Sequence, residues 1–167
     1  TGLFKMNLRN EILTGPKAAE CAPFVVTNDM PKDPLGYKKD QKIADILNEG
    51  RAKKVVHLEV GDGAICVALG SPEGPLFIYR LRQLAATPIT DESPNDLIIQ
   101  VAVADQAVRS LNKVGLDVGD PLIRTGLHAF IGTLLTLEQV NAIKALAEVD
   151  DVITAGEVSR ALRGPWE

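Results

Sequence analysis

Between Asp40 and Gly50 the apolar positions Ile43, Ala44, Ile46 and Leu47 return on one face of a helical repeat, so the spacing predicts a short helix. Asp40 is placed to accept the first free amides and Gly50 to stop the helix. The period then changes. Val55–Val60 alternates, with Val56, Leu58 and Val60 on one side and His57 and Glu59 on the other, which predicts a half-buried strand. Gly61-Asp62-Gly63 reads as a compact hairpin connection and Ala64–Leu69 as the returning strand. After the turn Ser71-Pro72-Glu73-Gly74-Pro75, Leu76–Leu84 reads as a third β-rich segment. These three segments predict a small antiparallel β-meander, extended by later strands to a partial barrel.

Further on, Leu97, Val101, Ala104, Val108 and Leu111 step by four, three, four and three, which favours an amphipathic helix ending before Gly115. The β-rich run 97–103 leaves a strand leading into a shorter helix as the alternative. Gly119-Asp120-Pro121 reads as a turn delivering Leu122–Thr125 into a short strand or extended segment. Two helix starts follow in the same local grammar. Thr136 with Gln139, and Thr154 with Glu157, match capping boxes, while Leu135 with Val140, and Ile153 with Val158, match the staples around them. A C-terminal helical hairpin is expected.

The first 39 residues differ. Leu3-Phe4, Ile12-Leu13 and Phe24-Val25-Val26 are short apolar clumps, and Pro16, Pro23, Pro31 and Pro34 interrupt any long helix. The expected organisation is an extended arm over 1–39, an α+β core over 40–132 with helices packed on the sheet, and the hairpin over 133–167. The arm packs on a neighbour or serves as a loop-rich cover over its own core.

Apolar residues make up 46% of the 167 residues and charged residues 24%, which is enough apolar side chain for a core and argues against wholesale disorder. No apolar run reaches the roughly 18 residues of a spanning helix, and the first residues lack a basic start and apolar block, so neither membrane nor secretory signal is expected. The net charge of −4 is divided unevenly, at +2 over residues 1–83 and −6 over 84–167. The acidic half repels a phosphate backbone, so nucleic acid is a disfavoured partner despite a basic group at Lys38, Lys39, Lys42, Arg51, Lys53 and Lys54. Cys21 and Cys66 lack metal-ligand spacing and read as small buried hydrophobes in a reducing, cytoplasmic setting, a single disulfide being the alternative.

No catalytic motif assembles. VGDGAIC resembles a dinucleotide loop only in part, because Cys66 stands where the third glycine belongs and a hairpin accounts for every residue. The two histidines, His57 and His128, have no evident nucleophile beside them. Asp91-Glu92 with Asp96, Asp117 with Asp120, and Asp150-Asp151 suit caps and turns as well as they suit acid/base chemistry.

The function these patterns favour is a non-catalytic interaction or assembly subunit, without cofactor or metal, that contacts other copies or a partner protein through its N-terminal arm and C-terminal hairpin. Leu3, Phe4, Phe24, Val25 and the penultimate Trp166 are its candidate contacts, since an apolar arm and a terminal Trp offer surface to a partner. By analogy of shape, a larger particle such as a virion is one setting. Two alternatives stand beside it. One is a single-stranded nucleic-acid binder using Phe77 and Tyr79 with Arg80 and Arg82 on a β-face. The other is a small hydrolase or lyase built on the acidic clusters.

Overall fold

The computed structural model describes residues 2–28, 30 and 34–164, with side chains from Leu8 onward. In chain order the elements are α1 (Gly2–Thr14), α2 (Ala18–Cys21), α3 (Gly36–Asn48), β1 (Lys54–Val55), β2 (Glu59–Val60), α4 (Asp62–Leu69) and α5 (Glu73–Ala85). They continue with α6 (Asn95–Leu111), β3 (Leu116–Asp117), α7 (Pro121–His128), α8 (Leu137–Ala145), β4 (Glu148–Val149) and α9 (Ala155–Arg163). The fold is α+β, and among the described residues there is no closed barrel. The chain divides into two compact units, one of residues 1–53 with 150–167 and one of residues 54–149.

In the first unit α3 and α9 pack together, and α1 packs on α9. On α9, Ala155, Val158, Ala161 and Leu162 recur at helical spacing and are buried. Val158, Ala161 and Leu162 meet Leu8, Ile12, Cys21, Ile43, Ala44 and Leu47 in one core. Polar side chains close the helix ends. Arg9 donates to the carbonyl of Leu162 at 2.8 Å, and Lys17 Nζ donates to Ile46 at 2.7 Å and to the carbonyl of Glu49. These cations sit where orphan carbonyls and the negative end of the helix dipole favour them. Asn48 bridges to the backbone of Ile153, donating at 2.8 Å and accepting at 2.7 Å. Asp40 is the one buried charged side chain among the described residues, and it pairs with Arg163.

Two expectations change here. Residues 1–39 are not an extended arm, because α1, α2 and a 3₁₀ turn at Ala22–Phe24 occupy much of the segment. Asp40 does not open its helix, which starts a turn earlier at Gly36. Gly50 does stop it, with φ +66° in the left-handed region.

The second unit corrects the meander. Ala64–Leu69 and Leu76–Leu84 are helical, within α4 and α5. Their β-rich composition gave way to packing. On α5, Phe77, Ile78 and Leu81 form a helical stripe that is buried, and Pro75 sits in the first turn, where its missing N–H costs no hydrogen bond. Gly74 lets α5 approach α4, since a Cβ there would lie 2.6 Å from Cys66 Cα. The strands that do form pair at long range and antiparallel, β1 with β4 and β2 with β3. Residues 97–103 lie in α6, as the helical spacing favoured. The 122–125 segment is not extended but lies in α7, with Asp120 and Pro121 as cap and first helical residue.

Both C-terminal helices start at the expected threonines, but the expected capping box closes in full only at α8, and at α9 only its threonine half is made. Thr136 and Gln139 close a full capping box on α8, and Thr154 accepts from Glu157 N at the start of α9. α8 belongs to the 54–149 unit and α9 to the other. Among the described residues no helix is long and apolar enough to cross a membrane.

Candidate interaction site

Helix α7 is placed by its own sequence. Asp120 Oδ1 accepts from Leu122 N at 2.8 Å, which satisfies one orphan amide at the helix start. Arg124 points inward and donates to the carbonyls of Val118 at 2.9 Å and Lys144 at 3.0 Å, and it pairs with Glu148 at 2.7 Å. With Arg124 and Leu127 turned inward, Leu122 is turned out and is 81% exposed. Gly126 brings α7 close to α6, where an added Cβ would lie 3.3 Å from Val103 Cγ1.

Between these helices lies a cleft of about 220 Å³, walled by Val103, Ala107, Leu116, Ile123, Leu127 and Phe130. Leu122 stands on its lip, and Gln106 is the one polar side chain among its described lining residues. An uncharged wall offers nothing to orient a reacting group, but it does offer burial to an apolar side chain.

A larger cleft of about 420 Å³ lies in the other unit, lined by Glu11, Lys17, Leu47, Glu49, Arg51 and Asp151 among others. Three of its charged groups, Glu11, Arg51 and Asp151, are engaged with one another. Arg51 meets Glu11 at 2.6 Å and Asp151 at 2.8 Å, and the bond to Glu11, followed by that to Asp151, holds the guanidinium more firmly protonated against the opposing effect of burial.

Neither histidine lines either cleft, and of the acidic candidates Asp151 lines the larger one. His57 Nδ1 lies 2.8 Å from Asp117 Oδ2, and the imidazole is exposed. That bond pushes the imidazole pKa up, and the same bond, ahead of the amides of Leu58 and Gly119, pushes the Asp117 carboxyl down. His128 Nε2 meets Lys144 Nζ at 3.2 Å. The acidic residues take local work, Asp120 as a cap and Asp151 on Arg51. Among the described residues no group of three or more His, Cys, Asp or Glu is gathered to hold a metal ion. Both cysteines are free thiols, Cys21 buried and Cys66 half-buried, and burial pushes the Cys21 thiol up.

The stretch at Gly61 is a strand-to-helix turn rather than a hairpin, since β2 leads through Gly61 into α4. Asp62 occupies the first turn of that helix and pairs with Arg82 at 2.8 Å, which sets a carboxylate where a pyrophosphate would have to approach. The β-face expected to stack bases is not formed. Phe77 is buried in the core, while Tyr79 is exposed and accepts from Gln83 at 2.8 Å.

Of the residues expected to make contacts, Phe24 and Val25 pack partly against the core of their own unit. Leu3 and Phe4 belong to the backbone of α1, their side chains outside those described, and Trp166 lies outside the described residues. The α6–α7 cleft was missed because Leu122–Thr125 read as extended. The signal that finds it is Asp120-Pro121, a helix cap followed by the residue best suited to the first helical position. No protein-family model, curated protein or solved structure matches this chain.

Proposed function

We propose that this chain is a non-catalytic interaction and assembly subunit that seats a partner protein, or another copy of itself, against the cleft between α6 and α7. One observation carries the reading: Leu122, 81% exposed, stands on the lip of an apolar cleft whose described lining holds no charged side chain. A single exposed leucine is ordinary on a protein surface; an exposed leucine joined to an apolar cavity is a continuous apolar patch. A partner side chain entering the cleft would cover both. Arg124, anchored in three directions, keeps the lip rigid, so little order has to be gained on binding.

The test is sedimentation velocity on the full chain from about 1 µM to about 1 mM, a range spanning association free energies of about −8 to −4 kcal/mol. It is run with Leu122→Asp in parallel. The reading expects wild-type association that Leu122→Asp weakens at least tenfold. Association that is unchanged in Leu122→Asp removes the cleft as the contact. A wild-type chain that stays monomeric at every concentration removes self-assembly, and the heterologous form of the reading then stands or falls on whether Leu122→Asp weakens capture of partner protein.

A further inference from the structure

We propose that His57 and Asp117 form a proton-controlled clasp holding the 56–60 segment against residues 116–119. The segments need one, because their ladder is short: β2 and β3 pair only Glu59 with Asp117 and Val60 with Leu116. Val118 N adds a bond to the carbonyl of Leu58 at 3.0 Å. The Asp117 carboxylate supplies the rest. Its Oδ1 accepts from Leu58 N at 3.1 Å and from Gly119 N at 3.0 Å, tying one amide from each segment, while Oδ2 takes the imidazole at 2.8 Å. One carboxylate therefore joins three groups from two stretches of chain.

The imidazole is the adjustable member. Its side chain is 81% exposed, so it gains and loses a proton without the fold opening. Protonated, it gives Asp117 both a hydrogen bond and an opposite charge; neutral, it gives at most the hydrogen bond, without the ion pair. The charged groups bearing on His57 are Asp117 and, at longer range, Asp120, both acidic and both from the 116–120 stretch. The clasp tightens when the ring is charged and slackens when it is neutral. Residues 117–120 also carry the cap of α7, so the clasp steadies the start of that helix whether or not the neighbouring cleft receives a partner.

The experiment is NMR on the full chain from about pH 5 to about pH 9, bracketing the ordinary imidazole value. It follows the His57 ring carbon and the exchange of the Leu58 and Gly119 amide protons, corrected for intrinsic rates. The variants are His57→Asn, which keeps a side-chain donor that cannot be charged, and Asp117→Asn. In the wild type, opening at both amides is expected to rise several-fold as the ring titrates, with a midpoint above the ordinary imidazole value. In His57→Asn the step is expected to vanish, and in Asp117→Asn the ring midpoint to fall back. A wild-type profile flat at both amides overturns the clasp, as does a step that persists in His57→Asn. Should Asp117→Asn fail to fold, the comparison of wild type with His57→Asn decides alone.

Discussion

Gly119 lies so close to Val56 that a Cβ built on it would stand 1.9 Å from the Val56 carbonyl oxygen and 3.0 Å from His57 Cα. Those neighbours are backbone, so no side chain can swing aside to make room. The crossing of the 56–60 segment over 116–119 therefore depends on the absence of a side chain, not on left-handed geometry. Gly119→Ala is expected to destabilise the protein by about 2 kcal/mol or more, the upper range of overpacking costs, read from urea unfolding. Gly63 is the control: it is exposed inside α4 with open space around its Cβ direction, so Gly63→Ala is expected to stabilise by about 0.5–1 kcal/mol. Equal effects at the two positions would refute the close approach.

Arg124 holds α7, the β3 turn and the end of α8 together through one guanidinium. Arg124→Met keeps the aliphatic volume but leaves the carbonyls of Val118 and Lys144 and the Glu148 carboxylate without this donor. The expected cost is about 2–3 kcal/mol. Arg124→Lys should recover less than half of it, because an ammonium cannot reproduce the planar fork. A lysine variant as stable as wild type would show that charge alone, and not the three-way geometry, is what matters.

The two C-terminal caps separate by the same logic. At α8 the Thr136 hydroxyl accepts from Gln139 N at 3.2 Å while Gln139 Oε1 accepts from Thr136 N at 2.9 Å. Thr136→Ala is expected to cost about 1 kcal/mol, and Gln139→Ala a few tenths to about 1 kcal/mol, with the pair coupled because each side chain holds the other in place. At α9 Thr154 accepts from Glu157 N at 3.2 Å, and Thr154→Ala should cost about the same as Thr136→Ala. A double-mutant cycle at Thr136 and Gln139 checks the reciprocity, and strict additivity would contradict it.

These caps also mark what was legible in the residues and what was not. Caps and staples are local: Thr136, Gln139, Leu135 and Val140 sit within six residues, so the helix start can be read before any fold is known. The stepped stripe of α6 was legible for the same reason only in its later part, since the β-rich run 97–103 fitted a strand as well. Ala64–Leu69 was not, because a short run of β-formers flanked by glycines fits a strand and a buried helix equally well, and only α5 packing on α4 through Gly74 decides it. The strand partners were hidden because β1 meets β4 nearly a hundred residues away, a pairing with no local signal. The cleft is a property of two helices, legible only once Asp120-Pro121 is taken as a helix start.

The His57–Asp117 pair is expected to give stability a window in pH, because its members shift in opposite directions. Asp117 binds fewer protons folded than unfolded, so its contribution is complete above the ordinary carboxylate value and is lost as pH falls through its lowered one. His57 binds more protons folded than unfolded, so its contribution is complete below the ordinary imidazole value and is lost as pH rises through its raised one. Both are complete between about pH 4 and about pH 6.5, the two reference values. The coupling free energy from a double-mutant cycle of His57→Asn and Asp117→Asn, read from urea midpoints at successive pH values, should peak in that interval and decline on either side. Added salt should lower the peak, since the ring is exposed and its charge is open to screening. A coupling free energy that stays flat from about pH 3 to about pH 9 would mean that it does not depend on the charge of either member, and the pH dependence of the crossing would then have to come from elsewhere.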